Sequence, residues 1–164
     1  PKTITSIPKE LFELENLTKL SLEGCELKTI PKELGKLKNL KQLNLKNNKL
    51  KNLPESIGEL SSLTALQLDY NKITLPNSLA KLQKLKSLEY YQNSKDEPID
   101  FPEVITELKA LKVLNLGSNS FKSLPESLAK LTNLEELKKS ILQKAFSGEL
   151  TKKLEGDTNK GVAA

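Results

Sequence analysis

The chain has 164 residues, the length of about one domain, and carries 26 basic and 21 acidic side chains for a net charge of +5. All the basic residues are lysines. The sequence has no histidine, the commonest general base and metal ligand. It also has no arginine, whose planar guanidinium binds guanine and phosphate through two hydrogen bonds. One cysteine, Cys25, excludes an internal disulfide framework and a cysteine-rich zinc site, and no apolar run approaches the roughly 20 residues that span a bilayer.

One phrase recurs along the chain and sets its period. The complete copy begins at Pro31, ends at Asn48 and reads Pro-x-x-Leu-x-x-Leu-x-x-Leu-x-x-Leu-x-Leu-x-x-Asn. Successive prolines are 23, 23, 22, 26 and 23 residues apart, and the six copies begin at Pro8, Pro31, Pro54, Pro76, Pro102 and Pro125. A fixed period in this range is typical of a stacked solenoid, in which each unit buries its apolar edge against its neighbours. The chain is therefore predicted to form one elongated domain over residues 1–155.

Each copy predicts a short helical segment followed by a short strand. In the second copy, Leu34, Leu37 and Leu40 recur at a spacing of three, which places them on one face of a helical or 3₁₀ segment. Leu43 and Leu45 then alternate with polar residues, as in a strand. Stacked copies align these strands into a parallel sheet on the concave side, with the helical segments outside. The predicted strands are 19–23, 42–46, 65–69, 87–91 and 113–117.

A small polar or thiol residue closes the strand in five copies. These residues share the spacing of the leucines, and they are Cys25, Asn48, Asn71, Asn93 and Asn119. A buried asparagine here can pair with backbone groups that a tight turn leaves unsatisfied. We interpret Cys25 as a structural equivalent rather than a reactive thiol, because the chain has no histidine or arginine to activate it.

The last copy changes after Leu134, where the segment EELKKSILQKAF replaces the expected strand. Its apolar residues have the spacing of one helix face, and they are Leu137, Ile141, Leu142 and Ala145. We predict a C-terminal helical cap over residues 134–155, which covers the last layer of the core, and a polar tail over residues 156–164. A helix lying on a membrane surface is the alternative interpretation of this pattern.

The first copy begins within a repeat, since Ile4 and Ile7 stand where Leu27 and Ile30 stand one repeat later. The predicted strand 19–23 is then an edge of the sheet, with backbone groups open to a second chain. Two hypotheses follow: this uncapped edge self-associates, or further sequence upstream covers it.

The proline, leucine and asparagine positions of the phrase resemble the leucine-rich repeat family over residues 4–137. The resemblance implies an α/β solenoid with a parallel sheet on the concave face and short helical or 3₁₀ segments on the convex face. It also implies a non-catalytic module that binds a protein ligand on the concave face. The lysine-rich units of 23 residues, each ending in Leu-Pro, are similar to small leucine-rich repeat proteins of Leptospira, which implies secretion or surface display and contact with host proteins.

Two other functions stay open at this point. The same concave face suits an intracellular or periplasmic bacterial assembly scaffold, and a native leader sequence would distinguish that function. The excess of lysine suits an electrostatic binder of acidic polymers, either glycan or nucleic acid. Against it, most lysines stand beside glutamates and arginine is absent, so no nucleic-acid partner is expected.

Transferred position by position, the concave binding surface falls on the outward residues of the predicted strands. The candidates are Gln42, Asn44, Lys46, Gln67, Asp69, Glu89, Tyr91, Val113 and Asn115. The middle positions of the strands are polar and mostly uncharged, which suits hydrogen bonding to a protein backbone. The charged positions alternate in sign and predict no phosphate-binding stripe.

Two of the three tyrosines fall on this surface. Tyr91 is predicted to point to the concave face, with Tyr70 near it one repeat earlier, whereas Tyr90 takes a leucine position and is predicted to be buried. Tyrosine is enriched in binding hot spots because it combines a large contact area with a polar tip. The alternative is that the exposed pair only covers neighbouring aliphatic stems.

The fourth repeat is the longest because it contains an insertion at residues 94–98, which carries Asp96 and Glu97. Insertions in repeat proteins form loops on one face, often the binding face. We therefore predict a recognition patch made of Tyr70, Tyr91 and this loop.

The sequence argues against an enzyme. It has no Gly-rich phosphate loop, and no serine, threonine or cysteine can pair with a histidine. No cofactor or metal ion is expected. Asp69 and Glu89 are expected to lie in a solvent-facing array, where only a weak oxygen-ligand cation site is conceivable, without a spacing motif to support it.

Overall fold

In the computed structural model of the protein, residues 6–91, 93 and 98–137 are described, and they form one stack of six repeats. Each repeat contributes one 3₁₀ helix and one strand. The 3₁₀ helices are η1 (Lys9–Glu13), η2 (Lys32–Lys36), η3 (Glu55–Glu59), η4 (Asn77–Lys81), η5 (Glu103–Glu107) and η6 (Glu126–Lys130). The strands are β1 (Lys19–Ser21), β2 (Gln42–Asn44), β3 (Ala65–Gln67), β4 (Ser87–Glu89), β5 (Val113–Asn115) and β6 (Glu136–Leu137). The predicted solenoid is confirmed.

The strands form a single parallel sheet whose order follows the chain from β1 to β6. Equivalent residues of successive repeats pair directly, so that Leu20 lies beside Leu43, then Leu66, Leu88 and Leu114. The strands begin where the spacing predicts but span three residues rather than five. Parallel main-chain bonds continue past the strand ends, from the Asn47 N–H to Asp69 O at 2.9 Å and from the Tyr70 N–H to Tyr91 O at 3.0 Å, where the backbone is left-handed, with φ of 53° and 55°.

Proline fixes where each 3₁₀ helix begins. The six prolines are extended N-cap residues, and Pro31 has φ −64° and ψ 148°. The carbonyl oxygen of Pro31 then accepts the N–H of Leu34 at 3.1 Å, and Leu34 O accepts the N–H of Leu37 at 3.1 Å. Proline suits this place because it has no N–H to satisfy and its φ is preset. From η2 to η6, one face of each helix buries a leucine or isoleucine in the core, whereas η1 buries Phe12.

The core is a continuous ribbon of aliphatic side chains along the stack. In the second repeat, Leu37, Leu40, Leu45 and Leu50 have no solvent exposure. Burying one such side chain contributes about 1.5–3 kcal/mol, so the repeated leucines supply most of the stabilisation. Because the ribbon is complete only where repeats stack, each repeat depends on its neighbours.

An asparagine after each of the strands β2 to β5 ties adjacent repeats together. The Asn48 Nδ2 group donates to the carbonyl oxygens of Leu22 at 2.8 Å and Leu45 at 2.9 Å, and its Oδ1 accepts the N–H of Leu27 at 2.9 Å. Cys25 makes one weaker contact at the same position, from Sγ to the Glu23 carbonyl oxygen at 3.6 Å. The thiol therefore fills the position with far less hydrogen bonding than the amide.

A tyrosine side chain forms a hydrogen bond between repeats three and four. On the return path, the Lys72 N–H donates to Leu50 O at 3.1 Å, and the Lys122 N–H donates to Ile99 O at 3.0 Å. The Ile73 carbonyl oxygen, which lies between repeats three and four, accepts the Tyr90 hydroxyl at 2.5 Å. Tyr90 is buried, as predicted, and its hydroxyl links repeat four to repeat three through a side chain.

We predicted a helical cap over residues 134–155, and this prediction is wrong at residues 136 and 137. Glu136 and Leu137 form β6, which pairs with Val113 and Leu114 of β5 and continues the sheet. The parallel ladder extends here because the Glu135 N–H still donates to the Lys112 carbonyl oxygen at 2.9 Å. The rest of the predicted cap, residues 138–155, and the tail lie outside the described residues. Within the described part of the chain, no helix is long and apolar enough to cross a membrane.

Candidate protein-binding surface

The concave face presents rows of side chains that run across the strands. The middle row is polar and contains Ser21, Asn44, Gln67, Glu89 and Asn115, which pair in register. The row where the strands begin contains Lys19, Gln42, Ala65, Ser87 and Val113. These side chains are half-buried or exposed, whereas the leucines between them are buried. The sheet therefore offers a polar surface above an apolar core.

A lysine binds two carboxylates at the centre of this face. The Lys46 Nζ atom lies 2.9 Å from Asp69 Oδ2 and 2.9 Å from Glu89 Oε2. Gln67 Nε2 donates to the other oxygen of Glu89 at 3.0 Å. The network spans repeats two, three and four, and it therefore fixes the positions of these side chains relative to one another.

The expectation that Asp69 faces solvent is wrong. The residue is only 2% exposed, because its Oδ1 accepts the Tyr91 N–H at 2.7 Å while its Oδ2 faces Lys46. Glu89 stays partly exposed. Both members of the carboxylate pair considered for a cation site thus hold the Lys46 ammonium. Asp69 positions the backbone of Tyr91 rather than offering a free carboxylate.

The pKa values of the network shift in directions that its contacts explain. Burial raises the pKa of Asp69, despite opposing hydrogen bonds from Lys46 and the Tyr91 N–H. Burial also acts to raise the pKa of Glu89, but hydrogen bonds from Lys46, together with those to Asp69 and Gln67, lower it overall. The pKa of Lys46 is raised, chiefly by its hydrogen bond with Asp69. Lys46 therefore stays charged at neutral pH.

The asparagines of the middle row are also engaged. Asn44 Nδ2 donates to Glu23 Oε2 at 2.8 Å, and Asn44 Oδ1 accepts the Lys46 N–H at 3.0 Å. Asn115 Oδ1 accepts the Gly117 N–H at 3.1 Å. These bonds hold the chain as it leaves each strand, and both side chains remain partly accessible.

Tyr70 and Tyr91 are neighbours at the edge of the sheet where the strands end. Their ring centroids lie 5.3 Å apart at 64°, an edge-to-face arrangement, and the Tyr70 N–H donates to the Tyr91 carbonyl oxygen at 3.0 Å. Tyr70 is 48% exposed and, with Leu14, is one of two exposed large apolar residues in the described part of the chain. The remaining members of the predicted patch, Asp96 and Glu97, lie outside the described residues.

The left-handed backbone at Tyr70 was missed by the sequence reasoning. Tyr70 directly precedes Asn71, the residue that closes the strand. The residue at the same position is Gly24 in repeat one, Asn47 in repeat two and Ser118 in repeat five, and all three have positive φ. Glycine and asparagine adopt this conformation readily, whereas a bulky residue there is an outlier. Comparing the residues that precede Cys25, Asn48 and Asn71 could have revealed it.

A family model, described as a leucine-rich repeat region, matches residues 5–155. The chain belongs to the leucine-rich repeat family. Proteins with this fold are commonly protein–protein interaction modules and typically non-catalytic. No curated protein matches the chain significantly.

Solved leucine-rich repeat structures share this fold. A leucine-rich repeat protein of Leptospira interrogans is 39% identical with a TM-score of 0.74, and the match covers 80% of this chain and 33% of that one. The ectodomain of the Arabidopsis thaliana receptor kinase GASSHO1/SCHENGEN3, in complex with Casparian strip integrity factor 2, is 33% identical with a TM-score of 0.67, over 78% and 16% of the two chains. The plant peptide hormone receptor RGFR1, in complex with RGF2, is 30% identical with a TM-score of 0.57, over 78% and 25%. The chain thus spans at most about a third of these relatives.

Proposed function

We propose that this protein is a non-catalytic binding module whose concave face holds a segment of a protein ligand against Tyr70 and Tyr91. The observation that carries the proposal is Tyr70 itself. A large aromatic side chain stands half exposed at a backbone position where other repeats have glycine, asparagine or serine. Sparsely populated conformations cost about 1–3 kcal/mol and tend to occur at ligand-binding sites.

The contacts around the tyrosines favour a preorganised surface. Asp69 accepts the Tyr91 N–H, and Lys46 joins Asp69 to Glu89, so the backbone under the aromatic pair is fixed before a ligand arrives. Each tyrosine supplies a large contact area with few rotatable bonds. A rigid surface of this kind loses little conformational entropy on binding.

The solved complexes support a protein or peptide ligand. Two of the similar receptors contain a bound protein or peptide partner, and both share this fold over 78% of the present chain. The likeness to a Leptospira protein favours secretion or surface display, with host proteins as the first class of ligand to test.

The test is affinity capture from host and bacterial extracts with the full chain, followed by titration of each purified captured protein. Tyr70→Ala/Tyr91→Ala is expected to weaken binding at least tenfold, which corresponds to a loss of about 1.4 kcal/mol. Leu14→Ala is the matched control, because it removes another exposed apolar side chain outside the sheet. Unchanged affinity of the double variant, with a native circular dichroism spectrum, contradicts the proposal.

A further inference from the structure

A row of lysines follows the edge of the sheet where the strands begin. Lys41, Thr64, Lys86 and Lys112 directly precede β2, β3, β4 and β5, and the N–H of each later residue donates to the carbonyl oxygen of the one before at 2.8–2.9 Å. Thr18 takes the equivalent position in repeat one, and Lys19, the first residue of β1, lies one residue further along, beside Gln42. All four lysine side chains are exposed. Because adjacent strands lie about 4.8 Å apart, the main chains of Lys41 and Lys86 are about 10 Å apart.

Most of this lysine row (Lys19, Lys41, Lys86 and Lys112) lacks a counter-ion. Lys112 forms an ion pair with Glu135. The other three form no ion pair or side-chain hydrogen bond with any residue in the described part of the chain. A carboxylate of a ligand can therefore reach these three ammonium groups without displacing a native partner.

The opposite edge of the sheet has the reverse character. Glu23 at this edge and Glu89 in the adjacent middle row are accessible carboxylates, whereas Asp69 is buried against Lys46. The two tyrosines add their rings. The concave face thus runs from cationic, where the strands begin, to acidic and aromatic, where they end. Five residues of extended chain separate the two edges, a distance of about 16 Å.

We propose that the ligand of this face is a peptide segment that carries acidic side chains. Its carboxylates lie over the lysine row, while an apolar or aromatic residue of the same segment contacts Tyr70 and Tyr91. The inference rests on the proposed concave-face function and specifies the ligand's chemistry. A nucleic acid fits less well, because the carboxylates at the far edge repel a continuous polyanion and the chain has no arginine to fork a phosphate.

The experiment selects random linear peptides displayed on phage against the full chain. Recovered peptides are expected to be enriched in aspartate and glutamate over the input library. A synthetic copy of one should bind Lys19→Gln/Lys41→Gln/Lys86→Gln about tenfold more weakly than the wild type, since each exposed ion pair contributes modestly. Raising the salt from about 50 to about 200 mM should weaken wild-type binding in the same direction.

The matched control is Lys9→Gln/Lys32→Gln/Lys130→Gln, which makes the same change in net charge on η1, η2 and η6 of the convex side. It should retain wild-type affinity within about twofold, since charges beyond a Debye length are largely screened. Equal loss in both triple variants would indicate a non-specific charge effect and would overturn the proposal.

Two further outcomes separate the inference from the function on which it rests. If recovered peptides depend on Tyr70 and Tyr91 but show no acidic enrichment, or bind the lysine triple variant as tightly as the wild type, the acidic ligand is wrong and the concave-face function stands. If no recovered peptide depends on the tyrosines, the proposed function fails as well. A labelled single-stranded oligonucleotide that binds through the lysine row more tightly than any selected peptide would replace the peptide with a nucleic acid.

Discussion

The third repeat joins its two neighbours in different ways. Toward repeat two, the return path closes through main-chain groups, as in the bond from the Lys72 N–H to Leu50 O at 3.1 Å. Toward repeat four, the Ile73 carbonyl oxygen is satisfied by the side chain of Tyr90 at 2.5 Å, and the exposed pair of Tyr70 and Tyr91 lies at the same junction. The junction toward repeat four thus adds side-chain contacts that the repeat pattern does not specify. This difference places the most distinctive surface where the repeat is broken.

The largest expected effect lies in the regular part of the stack. Asn71→Ala removes the acceptor of the buried Leu50 N–H, which is left unpaired. It also removes one of the two asparagine donors to each of the Leu45 and Leu68 carbonyl oxygens. We expect the free energy of unfolding to fall by about 3 kcal/mol or more, measured by urea denaturation. Cys25→Ala, which removes one weak contact, should cost less than about 1 kcal/mol by the same reasoning. Equal losses would show that the asparagine bonds do not distinguish the two positions.

A second test concerns the convex side of the junction between repeats three and four. A Cβ atom added at Gly58 would overlap the Ser78 carbonyl oxygen, so the two backbones would have to separate. Gly58→Ala should therefore destabilise the fold by about 1–3 kcal/mol in thermal or chemical denaturation. The control is Ala80→Gly at the equivalent position of repeat four, which should cost no more than about 1 kcal/mol. A neutral Gly58→Ala variant would mean that the convex helices can shift apart freely.

Tyr90→Phe tests the junction between repeats three and four directly. It leaves the Ile73 carbonyl oxygen without its hydroxyl donor, and we expect a loss of about 1–2 kcal/mol at neutral pH. Burial raises the pKa of Tyr90 to about 12 from its ordinary value of 10.0.

The pH dependence follows from that shift. Because the folded-state pKa is higher than that of the unfolded chain, the stability that Tyr90 contributes is fully present below pH about 10 and is lost as the pH rises toward 12. The difference between the wild type and Tyr90→Phe should therefore narrow over this interval in denaturation curves. A constant difference from pH 7 to 12 would contradict burial of the phenol.

The smallest expected effect is a gain in the stability of the fold. Tyr70→Asn places a residue that tolerates the left-handed backbone at φ 55°, and it should stabilise the fold by about 1 kcal/mol while weakening ligand binding. The reverse substitution at the equivalent position of repeat two, Asn47→Tyr, should destabilise the chain by a similar amount. If Tyr70→Asn improves neither stability nor folding yield, the tyrosine is not strained and the main argument for its role in binding weakens.

The sequence was sufficient for the elements that repeat. The spacing of the leucines predicted where all five strands from β1 to β5 begin and which positions face inward, because each repeat buries the same face against the next. It also predicted that Tyr90 is buried, since that residue takes a leucine position.

Features that depend on one neighbour could not be predicted in this way. The burial of Asp69 follows from Lys46 in the repeat before and the Tyr91 N–H in the repeat after, and no periodic pattern specifies that combination. At the C-terminal end, the change in pattern after Leu134 was assigned to a helix, although the parallel ladder continues into β6. The role of the concave residues in binding stays a prediction.

The in-register sheet also fixes the distance between equivalent side chains of successive repeats. Adjacent strands are about 4.8 Å apart, whereas side chains on one face of an extended peptide recur about every 6.6–6.8 Å. Three strand spacings, about 14.4 Å, still differ by about 1 Å from two side-chain repeats of the peptide, and the two distances coincide only at about seven spacings. A linear ligand crossing the repeats can therefore match its side chains to the strands at few offsets. One consequence is that inserting a single repeat would displace half of such a ligand's contacts while leaving the fold intact.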